Sequence, residues 1–342
     1  MQVANEGDDP KDIHCEEVTI CLLCTAPLSG PPEYMARDDF FRQVPGVFPF
    51  TRCDCCASLL LSRRLTAESL PLAYAAYYTH TPGDAAMAPT RGMAAHVRQR
   101  LRTAYERTRF GPAPGVFDRV LAPFFRMGRA GRRDFDTLWR LIPPAPARVL
   151  DYGCGGGDFL RRITAAGYVG HGVDFDPAAI NLARQRGLTV WLPEEFDMLA
   201  DRPQYDAITL SHVIEHVPDP RFLLTRLSRL LAPGGTLYIE VPQAGATGLA
   251  IFGEHWRGLE VPRHLCIPSH EGLDAALTAA GLRRTERTLR GSVRAWVWAE
   301  SRQMVPAALR QQVWQAEATA EPETWENAEF AIVVARHCWL RR

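Results

Sequence analysis

The 342-residue chain has a single lysine, Lys11, and takes the rest of its 39 basic residues from arginine. Acidic residues also number 39, so no net charge steers the whole molecule toward a polyanion. The arginine preference reads as a coding bias without mechanistic content. No run of eighteen apolar residues occurs, which argues against a spanning helix. The opening "MQVANEGDDPKD" is acidic and lacks the apolar stretch of a secretory signal, so a cytoplasmic location is the expectation. There, nine cysteines are read as metal ligands or isolated thiols rather than disulfides.

The length fits two domains, or one large domain with additions, and 46% hydrophobic residues supply an ample core. Six cysteines fall within the first 56 residues: Cys15, Cys21, Cys24, Cys53, Cys55 and Cys56. They place a small cysteine-organised module over residues 15–80, followed by a linker candidate, "THTPGDAAMAPTRG". A basic helical connector fills 81–144. From 145 to 342 short strands alternate with helical patterns. Strands are expected at 147–152, 169–174, 188–192, 205–211, 235–241 and 329–335, and helices near 158–166, 177–186, 219–231 and 269–280. Such alternation means βαβ units around a parallel sheet covered on both faces. Tryptophan-rich residues 291–328 read as a helical insertion before the last strand.

The most informative stretch is "VLDYGCGGGDFL", residues 149–160: a strand ending in an acid, a glycine turn and a helix start. A dinucleotide fingerprint requires glycine at the sixth position from Gly153, where Asp158 stands and would repel a pyrophosphate. No Gly-Lys-Ser/Thr follows, which excludes a phosphate loop. The pattern Asp151-x-Gly153-x-Gly155-x-Gly157 suits a cationic, phosphate-free nucleoside, of which S-adenosylmethionine (SAM) is one. Asp174 ends the second strand 23 residues after Asp151, where an acid can take both ribose hydroxyls.

With "YDAITLSHVIEHVPDP" (205–220), "LLAPGGTLYIEVP" (230–242) and "HWRGLEVPRHLCIPSHEGLDAALTAAGL" (255–282), the chain resembles the class I SAM-dependent methyltransferases. "CLLC" and "RCDCCASLLLSRRLTAESLPLAYAAYY" resemble the N-terminal zinc-ribbon-like element of one bacterial subgroup. The resemblance implies an α/β, Rossmann-like, doubly wound sheet of seven strands, the last antiparallel, preceded by a zinc-ribbon-like module and a helical connector. It implies that Gly153 and Gly155 admit the methionine part of SAM, with Gly157 completing the loop and Asp151 buttressing it. Asp174 is then the ribose ligand, Ser211 offers its carbonyl to the ammonium, and Glu194 or Glu195 lies beside the adenine.

Methyl transfer is an in-line displacement, so the protein mainly aligns the reacting groups, and a base assists where the acceptor is a hydroxyl. Candidates after the fourth strand are His212, Glu215 and His216. Relatives acting on catechol-like quinone precursors hold a divalent cation here with a Glu/Glu/His set, whose first Glu is replaced by His212. Loop structuring, general base and metal ligation all remain open for this group. His255, Arg263 and His264 form a second group at the acceptor pocket, either structural or catalytic, with Arg263 a partner for a substrate carboxylate or phosphate.

Cys21-x-x-Cys24 and Cys53-x-x-Cys56 have the spacing of a closed, structural four-thiolate zinc site. Thr25 and Ala57 stand where glycine commonly follows each knuckle, and Cys15 and Cys55 are substitute ligands. Cys154, Cys266 and Cys338 read as packing residues. Residues 91–148 carry thirteen arginines against four acids. In "VFDRVLAPFFRMGRAGRR", Val116, Val120, Leu121, Phe124 and Phe125 are expected to share one face, interrupted by Pro123. That stretch is a solvated helix face or, over residues 116–133, a peripheral membrane contact. Zero net charge counts against nucleic acid as a partner.

The leading expectation is a SAM-dependent methyltransferase acting on an oxygen, before a nitrogen or carbon, of a small metabolite, sugar or lipid-linked acceptor. An RNA methyltransferase and a SAM-binding scaffold without turnover are the alternatives.

Overall fold

The computed structural model describes residues 13–74, 93–111, 114–125, 129–199, 205–290 and 293–338. The linker candidate at 79–92 lies outside them. The N-terminal part contains strands β1 (Cys15–Glu17), β2 (Tyr34–Ala36), β3 (Phe48–Arg52), β4 (Leu59–Leu61) and β5 (Arg63–Leu65), then helix α1 (Leu70–Tyr74). Helices α2 (Met93–Phe110), α3 (Val116–Leu121) and α4 (Arg129–Leu138) form the connector, with a 3-10 turn at Ala122–Phe124. Pro123 sits in that turn and ends α3, as its missing N–H requires. The apolar face differs from expectation. Val116, Val120 and Phe124 are exposed together with Phe117, while Leu121 and Phe125 turn partly inward.

The α/β domain runs β6 (Arg148–Tyr152), α5 (Asp158–Ala165), β7 (Val169–Val173), α6 (Pro177–Gln185), β8 (Thr189–Trp191), α7 (Pro193–Asp197), β9 (Tyr205–Ser211), α8 (Pro220–Ser228) and β10 (Leu231–Pro242). It continues with α9 (Thr247–Phe252), β11 (Cys266–Ile267), α10 (His270–Ala279), β12 (Leu282–Thr288), α11 (Val293–Met304), α12 (Arg310–Ala318) and β13 (Phe330–His337). The 7-stranded sheet has the order β12-β13-β10-β9-β6-β7-β8, with β13 antiparallel to both neighbours. This is the Rossmann-like sheet with an antiparallel last strand that the sequence led us to expect. Strand β12 was not anticipated. Its "LRRTERT" has no apolar alternation, because it closes the sheet as a charged edge.

Helix starts follow from local chemistry. Asp176 and Asp219, each before a proline, cap α6 and α8 by accepting from Ala178 N–H (2.9 Å) and Phe222 N–H (2.9 Å). Neighbouring residues of β6 serve opposite faces of the sheet, as strand period two dictates. Val149 packs with Phe110, Phe135 and Trp139 of the connector and with α5 and α6. Leu150 packs on the face covered by α8, α10 and the cysteine module. Among the described residues no helix is long and apolar enough to cross a membrane.

The cysteine module shares a sheet with the α/β domain. β11 pairs antiparallel with β4, giving the order β11-β4-β3-β2. Ser269, the N-cap of α10, donates its N–H to Ser58 Oγ (3.0 Å) and also contacts the Cys56 carbonyl through its hydroxyl. Gly272 permits this approach, since a Cβ there would come within 2.1 Å of Ser58 Oγ. Arg263, expected as a substrate ligand, instead joins the two parts. It is fully buried, donates to Asp38 Oδ1 (2.7 Å) and the Ala73 carbonyl (2.8 Å), and stacks over Phe41.

Removing Arg263 leaves Asp38 buried with only backbone donors. Arg263→Ala is expected to lower unfolding stability by about 3 kcal/mol, read by denaturant titration. An unchanged midpoint would show that the arginine does not hold the module in place.

Candidate active site

Strand order reverses around β6, and the loops after β6 and β9 open at this switch point, where ligands of open α/β sheets bind. Gly153 takes φ +86°, and a Cβ there would lie 2.3 Å from Val213 Cγ2, so only glycine fits between the two loops. Gly155 differs. Its φ is +51° and a Cβ would meet nothing within 4 Å, which leaves its backbone facing open space. Asp174, at the end of β7, accepts from the N–H of Gly155 (2.7 Å) and Asp176 (3.0 Å), so acid and loop form one unit. Burial pushes its carboxyl above the usual range, against those two bonds.

Asp151 is fully buried and bonded to Thr209 Oγ1 (2.8 Å) and Arg140, whose guanidinium lies over Phe159. Its Oδ2 is buried without a hydrogen-bond partner among the described residues. Asp158 faces Arg186 Nη1 at 2.8 Å. Gly157 has φ +84° at the start of α5. Glu195 caps α7 by accepting from Leu192 N–H (2.9 Å) and bonds Arg184, and Glu194 beside it is likewise exposed.

Ser211 donates to Glu240 Oε2 at 3.1 Å. His212 follows at φ +55°, a left-handed conformation that costs a β-carbon residue of order 1–3 kcal/mol and recurs at functional sites. Its Nδ1 lies 3.3 Å from Glu215 Oε1, and Glu215 is fully buried with Oε2 unpartnered among the described residues. Burial opposes a charge on His212, but the bond and charge of Glu215 and the charge of Glu240 outweigh it and hold the imidazole above its usual range. Burial likewise opposes the Glu215 carboxylate, and the neighbouring histidines outweigh it, so that carboxyl is held low.

His216 Nδ1 lies 3.1 Å from the Arg263 carbonyl and 3.2 Å from the Tyr74 hydroxyl. His264, 4.7 Å away between ring centres, donates Nδ1–H to the Gly258 carbonyl (2.7 Å) and therefore carries its lone pair on Nε2. His212, His216 and His264 line one cavity of about 350 Å³ with Arg290, Trp296 and Phe330. His255 is not among them. It sits in the Gly253–His255 turn, 3.8 Å from Asp39 and from Glu254, turned toward the cysteine module.

Sequence reasoning missed three site residues. Tyr74 touches Phe175 and His216 from the cysteine module, and nothing local in the sequence marks it. Glu240 is a charged residue inside the apolar run of β10, a visible signal of a buried polar network. It accepts from Tyr238 (3.0 Å) and Arg290 (2.8 Å), and these with His212 keep its carboxyl low despite burial. Arg290 follows the unanticipated strand.

Cys21 and Cys56 Sγ stand 3.6 Å apart, Cys24 and Cys53 Sγ 3.5 Å, and all four lie within 4.8 Å of one another. A zinc tetrahedron with ~2.3 Å bonds has sulfur–sulfur edges of about 3.8 Å, so the four thiols fit one ion. Thr25 and Ala57 adopt φ +66° and +59°, accepting the strain glycine would avoid. Cys15 lies in β1 and Cys55 is exposed, both outside the set.

Residues 126–286 match the model of a family described as a methyltransferase domain. That stretch, a little under half of the chain, is similar to methyltransferase domains. The ubiquinone biosynthesis O-methyltransferase of Xylella fastidiosa (strain 9a5c) is 35% identical over 111 residues, 30% of this chain and 45% of that protein. Its counterpart in Xanthomonas oryzae pv. oryzae (strain PXO99A) is 33% identical over 128 residues, 35% of this chain and 54% of that protein. The chain spans about half the length of the curated relatives it matches. A SAM-dependent methyltransferase structure from Mesorhizobium loti aligns with TM-score 0.42 and 18% identity, over 61% of this chain and 100% of that one.

Burial lowers the His264 pKa from 6.5 to about 4, against the charge of Glu260. Above pH 6.5 the ring is neutral in both folded and unfolded chains. Between pH 6.5 and 4 only the unfolded chain binds the proton, so stability falls with falling pH, by about 3 kcal/mol in all. Denaturant midpoints of the wild type should show this acid limb, and those of His264→Gln should lack most of it. Parallel pH curves for the two proteins would contradict the buried, neutral imidazole.

Proposed function

We propose that the protein binds SAM at the glycine loop and transfers its methyl group to an oxygen of a small metabolite held in the histidine-lined cavity. The open backbone of Gly155 beside Asp174, on a glycine loop whose Gly153 packs against Val213, the neighbour of His212, is the observation that carries this reading. Asp151, fully buried beneath the loop and held by Thr209 and Arg140, supports this position from below. The choice of oxygen rests on relatives named as O-methyltransferases. A cavity of about 350 Å³ suits a small acceptor, or the head of a larger sugar or lipid-linked one.

Asp174 is assigned the ribose, Glu194 the adenine edge, and the Ser211 carbonyl the ammonium. When bound, SAM supplies an electrophilic methyl group on a sulfonium. His212 is assigned the general base. Its Nδ1–H donates to Glu215, leaving Nε2 to take the acceptor's proton, and its raised pKa suits work near neutrality. Glu215 orients and charges that imidazole from a fully buried position. Cys21, Cys24, Cys53 and Cys56 would hold a structural zinc, closed to substrate by its four thiolates.

Native mass spectrometry of the purified protein with added SAM tests both ligands. One SAM or S-adenosylhomocysteine and one zinc per chain are expected. Asp174→Ala should lose the nucleoside and keep the metal, whereas Cys53→Ser should lose the metal. A wild-type protein without a nucleoside adduct, or an Asp174→Ala variant that retains it, would overturn the assignment.

A further inference from the structure

One surface plays no part in SAM binding or in the histidine cavity. On α3 and the turn after it, Val116, Phe117, Val120 and Phe124 are 77%, 84%, 57% and 66% exposed. Spacings of three and four residues put them on one side of the element. Phe125 marks the inward side, with its ring 5.6 Å from that of Tyr105. Phe117 and Phe124 are large aromatics left in water, each of roughly 200 Å² in full, and a packed helix would have buried them.

The flanking sequence is cationic. Residues 91–148 hold thirteen arginines against four acids, a surplus of nine positive charges in a chain whose total is zero. Arg119 is exposed on α3 itself. Arg107 and Arg109, in the last turn of α2, remain 63% and 44% exposed although they pair with Asp118 and Asp136. We propose that this face is a docking surface for an anionic lipid bilayer, with the two phenylalanines and two valines entering the headgroup boundary and the arginines meeting lipid phosphates.

Size and charge favour this occupant over a second copy of the chain. The four side chains present well under the ~800 Å² per partner that a stable protein interface buries, and two such faces would bring like charges together. RNA would use the arginines but would gain little from exposed valines. An interfacial helix needs this combination of aromatic, aliphatic and basic side chains, and attraction to anionic lipid grows with each basic residue near the surface. The inference does not depend on the methyl acceptor.

The test is sedimentation of the full-length protein with vesicles of phosphatidylcholine alone or mixed equally with phosphatidylglycerol. Binding to the mixed vesicles, weak binding to pure phosphatidylcholine and loss in high salt are expected. The double variant Phe117→Glu with Phe124→Glu should bind mixed vesicles about tenfold more weakly or worse and keep the wild-type melting temperature. Arg119→Glu, which leaves the apolar stripe intact, should weaken binding to mixed vesicles only. The proposal is overturned if the wild type ignores phosphatidylglycerol, or if either set of variants binds as the wild type does. It is equally overturned if light scattering shows that the phenylalanines hold a dimer, or if RNA rather than vesicles retains the protein.

Discussion

A buried guanidinium holds the two halves of this molecule together. Arg263 is fully buried, and a charge so placed persists only when paired and hydrogen-bonded. Besides the Val261 carbonyl and Glu260 of its own loop, its partners lie in the N-terminal module: Asp38 and the Ala73 carbonyl, with Phe41 stacked against the plane. The Arg263 carbonyl in turn accepts from His216. One residue therefore fixes the cysteine module, the short helix carrying Tyr74 and a histidine of the cavity relative to each other. The β4–β11 pairing and the Ser58–Ser269 contacts extend that seam toward α10.

The cysteine cluster thereby gains a role its own geometry would not give it. Four thiolates around zinc leave no open coordination position for chemistry. Yet Cys56 and Ser58 sit against the N-terminus of α10, and the strand that follows them pairs with the segment just beyond His264. The four-cysteine cluster at one end thus bears on the position of the segment around His264, a wall of the histidine-lined cavity, at the other. The same holds for the connector, where Arg140 reaches Asp151 beneath the glycine loop.

Much of the α/β domain was legible because its signals are local. The glycine loop, the Asp-Pro helix starts at 176 and 219, and the apolar strands depend on neighbours a few residues away. Double Cys-x-x-Cys spacing likewise singled out the same four cysteines that the structure gathers. What escaped depends on distance along the chain or on absent patterning. Arg263 and Asp38 are 225 residues apart, so nothing near either residue shows that the arginine is consumed by a structural pair. Strand β12 carries charge instead of alternation because it is an edge. His255 was grouped with His264 by proximity in sequence, whereas the intervening 3-10 turns send their side chains to different sides of the loop.

The central claim is spatial: the cofactor at the glycine loop must present its reacting end to the cavity of His212, His216 and His264. A crystal structure with S-adenosylhomocysteine and zinc tests it most directly. The account predicts the ribose on Asp174, the thioether sulfur facing that cavity, and Tyr74 still at His216. A nucleoside bound elsewhere, or a sulfur turned away from the three histidines, would contradict it.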